Sequence, residues 1–342
     1  MKCTNKNEKR QIVHTSYCRK LRLLCLAGVA AVFVSGCGQT TVSYDNPYDI
    51  YATTAAFGIS KNDNGSDQSY FSENLCVADD YSLGVESTHS QVAEGAGVFN
   101  LATNTVTYAQ NIYEKLYPAS TTKILTAYIA LKYGNLEDQV TVSDYAAKQA
   151  SDSSVCGLRA GDTIMLKDLI YGMMIKSGND AAIAIAEHIS GSVEEFANLM
   201  NQEAHAMGAT RSHFVNPNGL PDEDHYTSVY DLYLIFQNAI KDERFTEIIS
   251  TKQYDVVYTD ANGNSVSKSW ENTNQYLAGK ATAPEGVAVI GGKTGTTGAA
   301  GYCLVLYSQN TAGQPIVSIV LKADCKSNLY LLMNEMLGGF AN

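Results

Sequence analysis

Three short motifs carry residue types suited to acyl transfer: Ser120-x-x-Lys123, Ser177-x-Asn179 and Lys293-Thr294-Gly295. A serine hydroxyl is a poor nucleophile at its own pKa and needs an adjacent base. On a helix, residues i and i+3 share a face, which places the Lys123 amine beside the Ser120 hydroxyl. A lysine normally keeps its proton, with a pKa near 10.4. Burial and a second nearby cation disfavour the charged form, by up to about 3–5 units for a fully buried group. The apolar run Ile124–Leu131 supplies the burial and Lys293 the second cation, so Lys123 can act as a general base. At a helix N-terminus the N–H of Ser120 has no intrahelical partner and can face a developing oxyanion. The strand carrying Lys293 is expected to give the second donor, the N–H of Thr296. Gly291, Gly292 and Gly295 crowd that strand, and strand glycines mark either a bulge or the close approach of a ligand.

Each motif alone is weak. Ser265-x-x-Lys268 fits the first pattern, and Ser60-x-Asn62 and Ser72-x-Asn74 fit the second, but these fall in an expected hairpin and an expected tether. The weight lies in three motifs in order, each in suitable local structure. A phosphate-binding loop around Gly292-Lys293-Thr294 would need glycine where Val287 stands. The six histidines form no H-E-x-x-H, so a zinc peptidase is disfavoured; no metal and no cofactor is expected. His188, inside an apolar run, reads as a satisfied core residue.

The elements that must position these residues follow from periodicity. Residues 94–100 and 105–113 read as two strands joined by a turn at 102–104. A helix begins with Ser120 after Pro118 and stops at Gly134; being apolar on nearly every side, it belongs inside the protein. Leu166, Leu169, Ile170, Met173 and Met174 mark a helix running into Ser177-Gly178, where the glycine suits a stop. Asp180 can cap the next helix, and Ser192 with Glu195 fits a capping box for a third. Residues 227–240 read as a further helix. Two strands flank the turn signal Asn262-Gly263, three more span 286–323, and a helix over 327–338 closes the domain. Strands at both ends with helices between them predict an α/β domain with a mainly antiparallel sheet, not a doubly wound parallel one.

The N-terminus reads as a targeting segment. Seven Lys/Arg precede an apolar run, Leu23–Val34, which is short for a membrane span. It ends Val34-Ser35-Gly36-Cys37. Residues 1–36 are therefore expected to be a signal peptide, 37–75 a polar flexible tether, and 76–342 the folded domain, outside the membrane. Beyond residue 36 there are 17 basic against 34 acidic side chains, which disfavours nucleic acid as a partner. An anionic ligand needs a local cationic site instead. Cys76, Cys156, Cys303 and Cys325 show no metal-binding spacing and no assignable pairing.

PASTTKILTAYIAL, MMIKSGNDAAIAIAEHISGS, HFVNPNGLPDEDHYTS and GGKTGTTGAAGY resemble the low-molecular-mass penicillin-binding proteins, the serine D-Ala-D-Ala carboxypeptidases, over roughly 93–340. The segment ending in Cys37 likewise resembles a bacterial lipoprotein signal, with Cys37 lipidated. The resemblance implies a five-stranded antiparallel sheet flanked by helices, an inserted helical subdomain, and an active site between them. It implies Ser120 as the acylated nucleophile, Lys123 as its base, Ser177 as a proton relay toward the leaving D-alanine, and Asn179 on the peptide amide. Lys293, Thr294 and Thr296, with Gly295 between them, would bind the terminal carboxylate of peptidoglycan stem peptides, and β-lactams would inhibit. Many relatives add a second β-rich domain and a C-terminal membrane helix; here the lipid on Cys37 is expected to serve as anchor. Some relatives grip the carboxylate with an arginine before the last helix. This segment reads LKADCKSNLY, leaving Lys322 or Lys326 for that task as point charges.

Two other readings use the same motifs. A class A β-lactamase adds a glutamate, usually within E-x-x-L-N, and none occurs between Asn179 and Lys293. A penicillin-sensing lipoprotein would acylate without turning over.

Overall fold

The computed structural model describes residues 74–342. The expected signal peptide, Cys37 and almost all of the expected tether lie outside the described residues. Nine strands and eight helices occur among the described residues. The strands are β1 (Ala93–Asn100), β2 (Thr105–Gln110), β3 (Gln139–Thr141), β4 (Thr163–Met165), β5 (Gln253–Thr259), β6 (Ser265–Glu271), β7 (Ala288–Thr297), β8 (Gly301–Gln309) and β9 (Pro315–Ala323). The helices are α1 (Lys123–Tyr133), α2 (Asp144–Ala147), α3 (Leu166–Tyr171), α4 (Asn179–Ser190), α5 (Val193–Ala206), α6 (Val229–Ala239), α7 (Glu243–Ser250) and α8 (Lys326–Phe340).

The main sheet is antiparallel, in the order β2-β1-β9-β8-β7, which leaves β7 at an edge. Alternation along its strands separates two cores. Val98, Leu304, Leu306, Ile316 and Val320 face α8 through Leu332, Met333 and Met336. Phe99, Cys303, Val305, Val317 and Ile319 face the other way, into a larger core shared with α1, α4 and α6. Between β2 and β7 the chain inserts its helical region.

That region is less purely helical than the periodicity predicts, because β3-β4-β5-β6 form a second sheet. β3 and β4 have three residues each, too short for alternation to register. The β5–β6 hairpin forms as expected, with Gly263 at φ 81° supplying a left-handed turn residue. The small sheet props up the second motif. Trp270 of β6 is buried, and a Cβ on Gly172 would come within 2.9 Å of its ring.

Other local expectations are corrected. The helix expected to open with Ser120 begins at Lys123; Ser120 lies in the 3-10 turn Ala119–Thr122. Ala119, the first residue of that turn, sits at φ 47°. The helix over Leu166–Met174 ends in a π turn, Gly172–Lys176, and its left-handed terminal residue is Ser177 at φ 65°, while Gly178 is at φ −63°. Asp180 lies inside the first turn of α4, where Gly178 is the cap. Ser192 caps α5 as expected, accepting from the N–H of Glu195 at 3.1 Å. His188 is exposed and 3.2 Å from Asp138, because its face of α4 looks outward; the buried histidine is His225. The four cysteines of the described residues are free thiols.

Candidate active site

The 3-10 turn brings residues i and i+3 into eclipse. Lys123 therefore reaches straight over its own turn, and its Nζ lies 2.9 Å from Ser120 Oγ. The same amine donates to Asn179 Oδ1 at 2.8 Å and to the Asn218 carbonyl at 2.6 Å. Lys123 is fully buried. Burial first, and the charge of Lys293 second, hold its pKa well below the ordinary lysine value. An amine whose proton is held this weakly, in contact with a serine hydroxyl, is suited to act as a general base.

Lys293 on β7 is also buried, and desolvation lowers it to about 7. Its Nζ donates to Ser177 Oγ at 2.9 Å and to the Thr294 carbonyl at 2.8 Å. Motif two thus lies between the two lysines: Ser177 meets Lys293 and Asn179 meets Lys123. The left-handed φ of Ser177 aims its hydroxyl at Lys293, and such strain in a non-glycine residue is a mark of functional sites.

The edge strand closes the site. A Cβ on Gly295 would stand 2.9 Å from Ser120 N and 3.0 Å from the Pro118 carbonyl, so only glycine lets β7 lie against the nucleophile turn. Thr294 and Thr296 flank that glycine, and the Thr294 hydroxyl is 2.6 Å from that of Thr273. The resulting cleft, about 200 Å³, is lined by Ser120, Ser177 and residues 294–296, with Ser154, Tyr302 and Lys326 on its other walls.

These distances bring a serine hydroxyl, two buried lysine amines and a second serine together, groups suited to acyl transfer, and the sequence as a whole shows the family. The D-alanyl-D-alanine carboxypeptidase family, peptidase S11, matches residues 85–325. The chain belongs to this family. It is 34% identical over 252 residues to the D-alanyl-D-alanine carboxypeptidase DacF of Bacillus subtilis, covering 72% of this chain and 61% of that protein. It is 32% identical over 242 residues to a D-alanyl-D-alanine carboxypeptidase of Streptomyces sp. strain K15, covering 67% and 80%. The crystal structure of the Streptomyces K15 DD-transpeptidase superposes with a TM-score of 0.65 at 29% identity, covering 71% of this chain and 96% of that one. The chain spans 61% and 58% of the lengths of the Bacillus subtilis protein and of the Haemophilus influenzae carboxypeptidase DacA.

Within this family frame, the structure gathers Ser120, Lys123, Ser177, Asn179, Lys293, Thr294, Gly295 and Thr296 at one cleft. The Lys268 of Ser265-x-x-Lys268 instead donates to the Cys156 and Gly157 carbonyls. Of the two lysines expected to replace an arginine, Lys322 is tied to Glu94 at 2.7 Å, whereas Lys326 lines the cleft at the start of α8. Several contributors carried no chemical signal in sequence. Asn218 acts through its backbone carbonyl, and Ser154 and Thr273 sit on loops. Asp180 receives the N–H groups of Cys156, Gly157 and Leu158 and so pins the loop that places Ser154.

Proposed function

We propose that the chain is a serine-type D-Ala-D-Ala carboxypeptidase, acting through an acyl-enzyme on Ser120. The observation that carries this reading is the buried, unprotonated-leaning Lys123 amine 2.9 Å from Ser120 Oγ, with Ser177 and Lys293 completing the same cleft.

The geometry supports the following sequence. Lys123 Nζ takes the Ser120 proton as Oγ attacks the penultimate D-alanine carbonyl. The oxyanion faces the N–H groups of Ser120 and Thr296. The intermediate collapses with loss of the C–N bond, and the leaving amine receives its proton from Lys123 by way of the Ser177 hydroxyl. Water then attacks the ester, giving its proton to Lys123, and Ser120 Oγ leaves and is reprotonated. β7 is an edge strand, so an extended peptide can pair along it while its carboxylate meets Thr294, Thr296 and Lys326. A β-lactam follows the same first step, but its leaving nitrogen stays tethered and the adduct persists.

Intact mass after benzylpenicillin treatment, wild type beside Ser120→Ala, paired with D-alanine release from a pentapeptide, tests the reading. A lasting Ser120-dependent adduct with D-alanine release is expected. Rapid turnover without an adduct would make the protein a β-lactamase, an adduct without D-alanine a sensor, and no Ser120-dependent adduct would overturn the serine mechanism.

We also propose that Cys37 is lipidated after removal of residues 1–36 and anchors the domain outside the bacterial membrane. The support is the basic region, the short apolar run and Val34-Ser35-Gly36-Cys37. Cys37→Ala should move the protein from the membrane fraction to the soluble one; unchanged fractionation and an unlipidated N-terminal peptide would rule the anchor out.

A further inference from the structure

His225 is fully buried, and the chemistry above does not use it. Its surroundings fix its tautomer. The N–H of Val215 donates to Nδ1 at 3.1 Å, so Nδ1 carries a lone pair and Nε2 carries the proton. Nε2 lies 2.9 Å from Thr122 Oγ1, which must accept that proton. Thr122, also fully buried, passes its own hydroxyl proton to the Ala119 carbonyl at 2.9 Å. Every donor and acceptor along this line has one consistent direction: Val215 N–H to His225, His225 to Thr122, Thr122 to Ala119.

The chain ends on the one peptide unit that matters most to acylation. The Ala119 carbonyl belongs to the same planar trans peptide as the Ser120 N–H. Fixing where that carbonyl points fixes the N–H in the opposite direction. That N–H is the one lying against Gly295, on the β7 side of the cleft. The peptide needs such fixing, because Ala119 holds a left-handed φ of 47°, which costs a non-glycine residue about 1–2 kcal/mol. Gly219 completes the clamp: at φ 87° it approaches so closely that a Cβ would fall 1.8 Å from the Ala119 oxygen. A carbonyl that accepts a strong hydrogen bond also polarises its own N–H, since bonds in series strengthen one another.

We propose that His225 and Thr122 are positioning residues whose hydrogen-bond chain orients and polarises the Ala119–Ser120 peptide, the oxyanion donor of the site. The proposal rests on the serine mechanism above, and it adds two residues that never touch substrate.

The test uses four variants and follows acylation by benzylpenicillin together with affinity for a boronic acid that forms a tetrahedral anion on Ser120. Thr122→Val keeps the volume and removes the hydroxyl; acylation and boronate affinity should fall together by about tenfold, less than the 10²–10³ that loss of an entire donor costs. Thr122→Ser should stay within about twofold of wild type. His225→Gln keeps a donor near the Nε2 position and His225→Asn keeps an acceptor near Nδ1. If the chain acts on the oxyanion donor, Gln should outperform Asn; a purely structural role through Val215 predicts the reverse order. Wild-type acylation by Thr122→Val, or Asn equal to or better than Gln, overturns the proposal. Should the variants fail to fold, imidazole ¹⁵N shifts of the wild type decide: an Nε2–H tautomer supports the chain and an Nδ1–H tautomer reverses it. Absence of any Ser120 adduct in wild type would instead remove the serine mechanism, a distinguishable failure.

Discussion

Lys293 Nζ lies 2.9 Å from the Ser177 hydroxyl, across 116 residues of chain and from the edge of the sheet to the end of a π turn. The contact joins two costs: a lysine whose charge is disfavoured by burial and a serine held at φ 65°. Neither is explained by stability, and the proposed passage of a proton through Ser177 toward a leaving amine would use both.

The first prediction concerns pH. In the free protein Lys293 loses its charge as pH rises past about 7. KM for a peptide with a free C-terminal carboxylate should therefore climb between pH 7 and 9, with kcat much less affected. The same peptide as a carboxamide should show no such climb, and a KM independent of pH for both would remove Lys293 from carboxylate recognition.

Stability should respond to the same residue. The unfolded lysine titrates near 10.5 and the folded one near 7, so between those values the unfolded state binds more protons and stability rises with pH. Below about 7 the burial penalty is felt in full. Lys293→Met should raise the denaturant midpoint most at pH 6, and the gain should shrink by pH 9.

Asp180 is a further case. Its carboxylate accepts from Cys156 N, Gly157 N, Leu158 N and Ala181 N at 2.8–3.0 Å, and it is buried. Asp180→Ala strips those amides of their partner, at about 1–3 kcal/mol for each buried group left unpaired. A loss of at least about 3 kcal/mol in urea unfolding is expected, with Asp180→Asn intermediate. An unchanged midpoint would mean that water replaces the carboxylate.

Asp180 and Ser120 also show what sequence could and could not carry. The three motifs located the chemistry because i, i+3 spacing is a local property that survived even when the α-helix proved to be a 3-10 turn. Asp180 looked like a helix cap because its partners at 156–158 are remote in sequence, and a tertiary bond leaves no periodic trace. Gly178 suits a helix stop by residue type, but the fold places the left-handed residue at Ser177, whose hydroxyl meets Lys293. β3 and β4 are set by pairing with each other and, for β4, with β5, not by their own three residues.

Gly295 predicts a steric effect with little global cost. A Cβ there meets the backbone of Ser120 and Pro118 at 2.9 and 3.0 Å, atoms that no side-chain rotation can move. Gly295→Ala should push β7 from the nucleophile turn and cut the acylation rate by about 10²-fold, comparable to loss of an oxyanion donor. Stopped-flow acylation with a chromogenic β-lactam measures this, and near-normal rates would show that the turn can retreat.

The last prediction separates two lysines that sequence left equivalent. Lys322 is paired with Glu94 at 2.7 Å, while Lys326 is exposed, lines the cleft and has no partner among the described residues. Lys293 directs its amine at Ser177 and at the Thr294 carbonyl and acts on an arriving carboxylate through its charge, so Lys326 is the lysine whose amine is left to contact that carboxylate directly beside Thr294 and Thr296. An exposed charge contact is worth about 1 kcal/mol, so Lys326→Met should raise KM roughly fivefold for a free-carboxylate peptide and leave a carboxamide peptide unaffected. The effect should fade at high salt, as the Debye length falls to about 3 Å at 1 M. Lys326→Arg should lower KM below wild type, since its planar fork binds a carboxylate through two hydrogen bonds. Lys322→Met should leave KM where it was. If Lys326→Met also leaves KM unchanged, the carboxylate is held by the threonines and Lys293 alone.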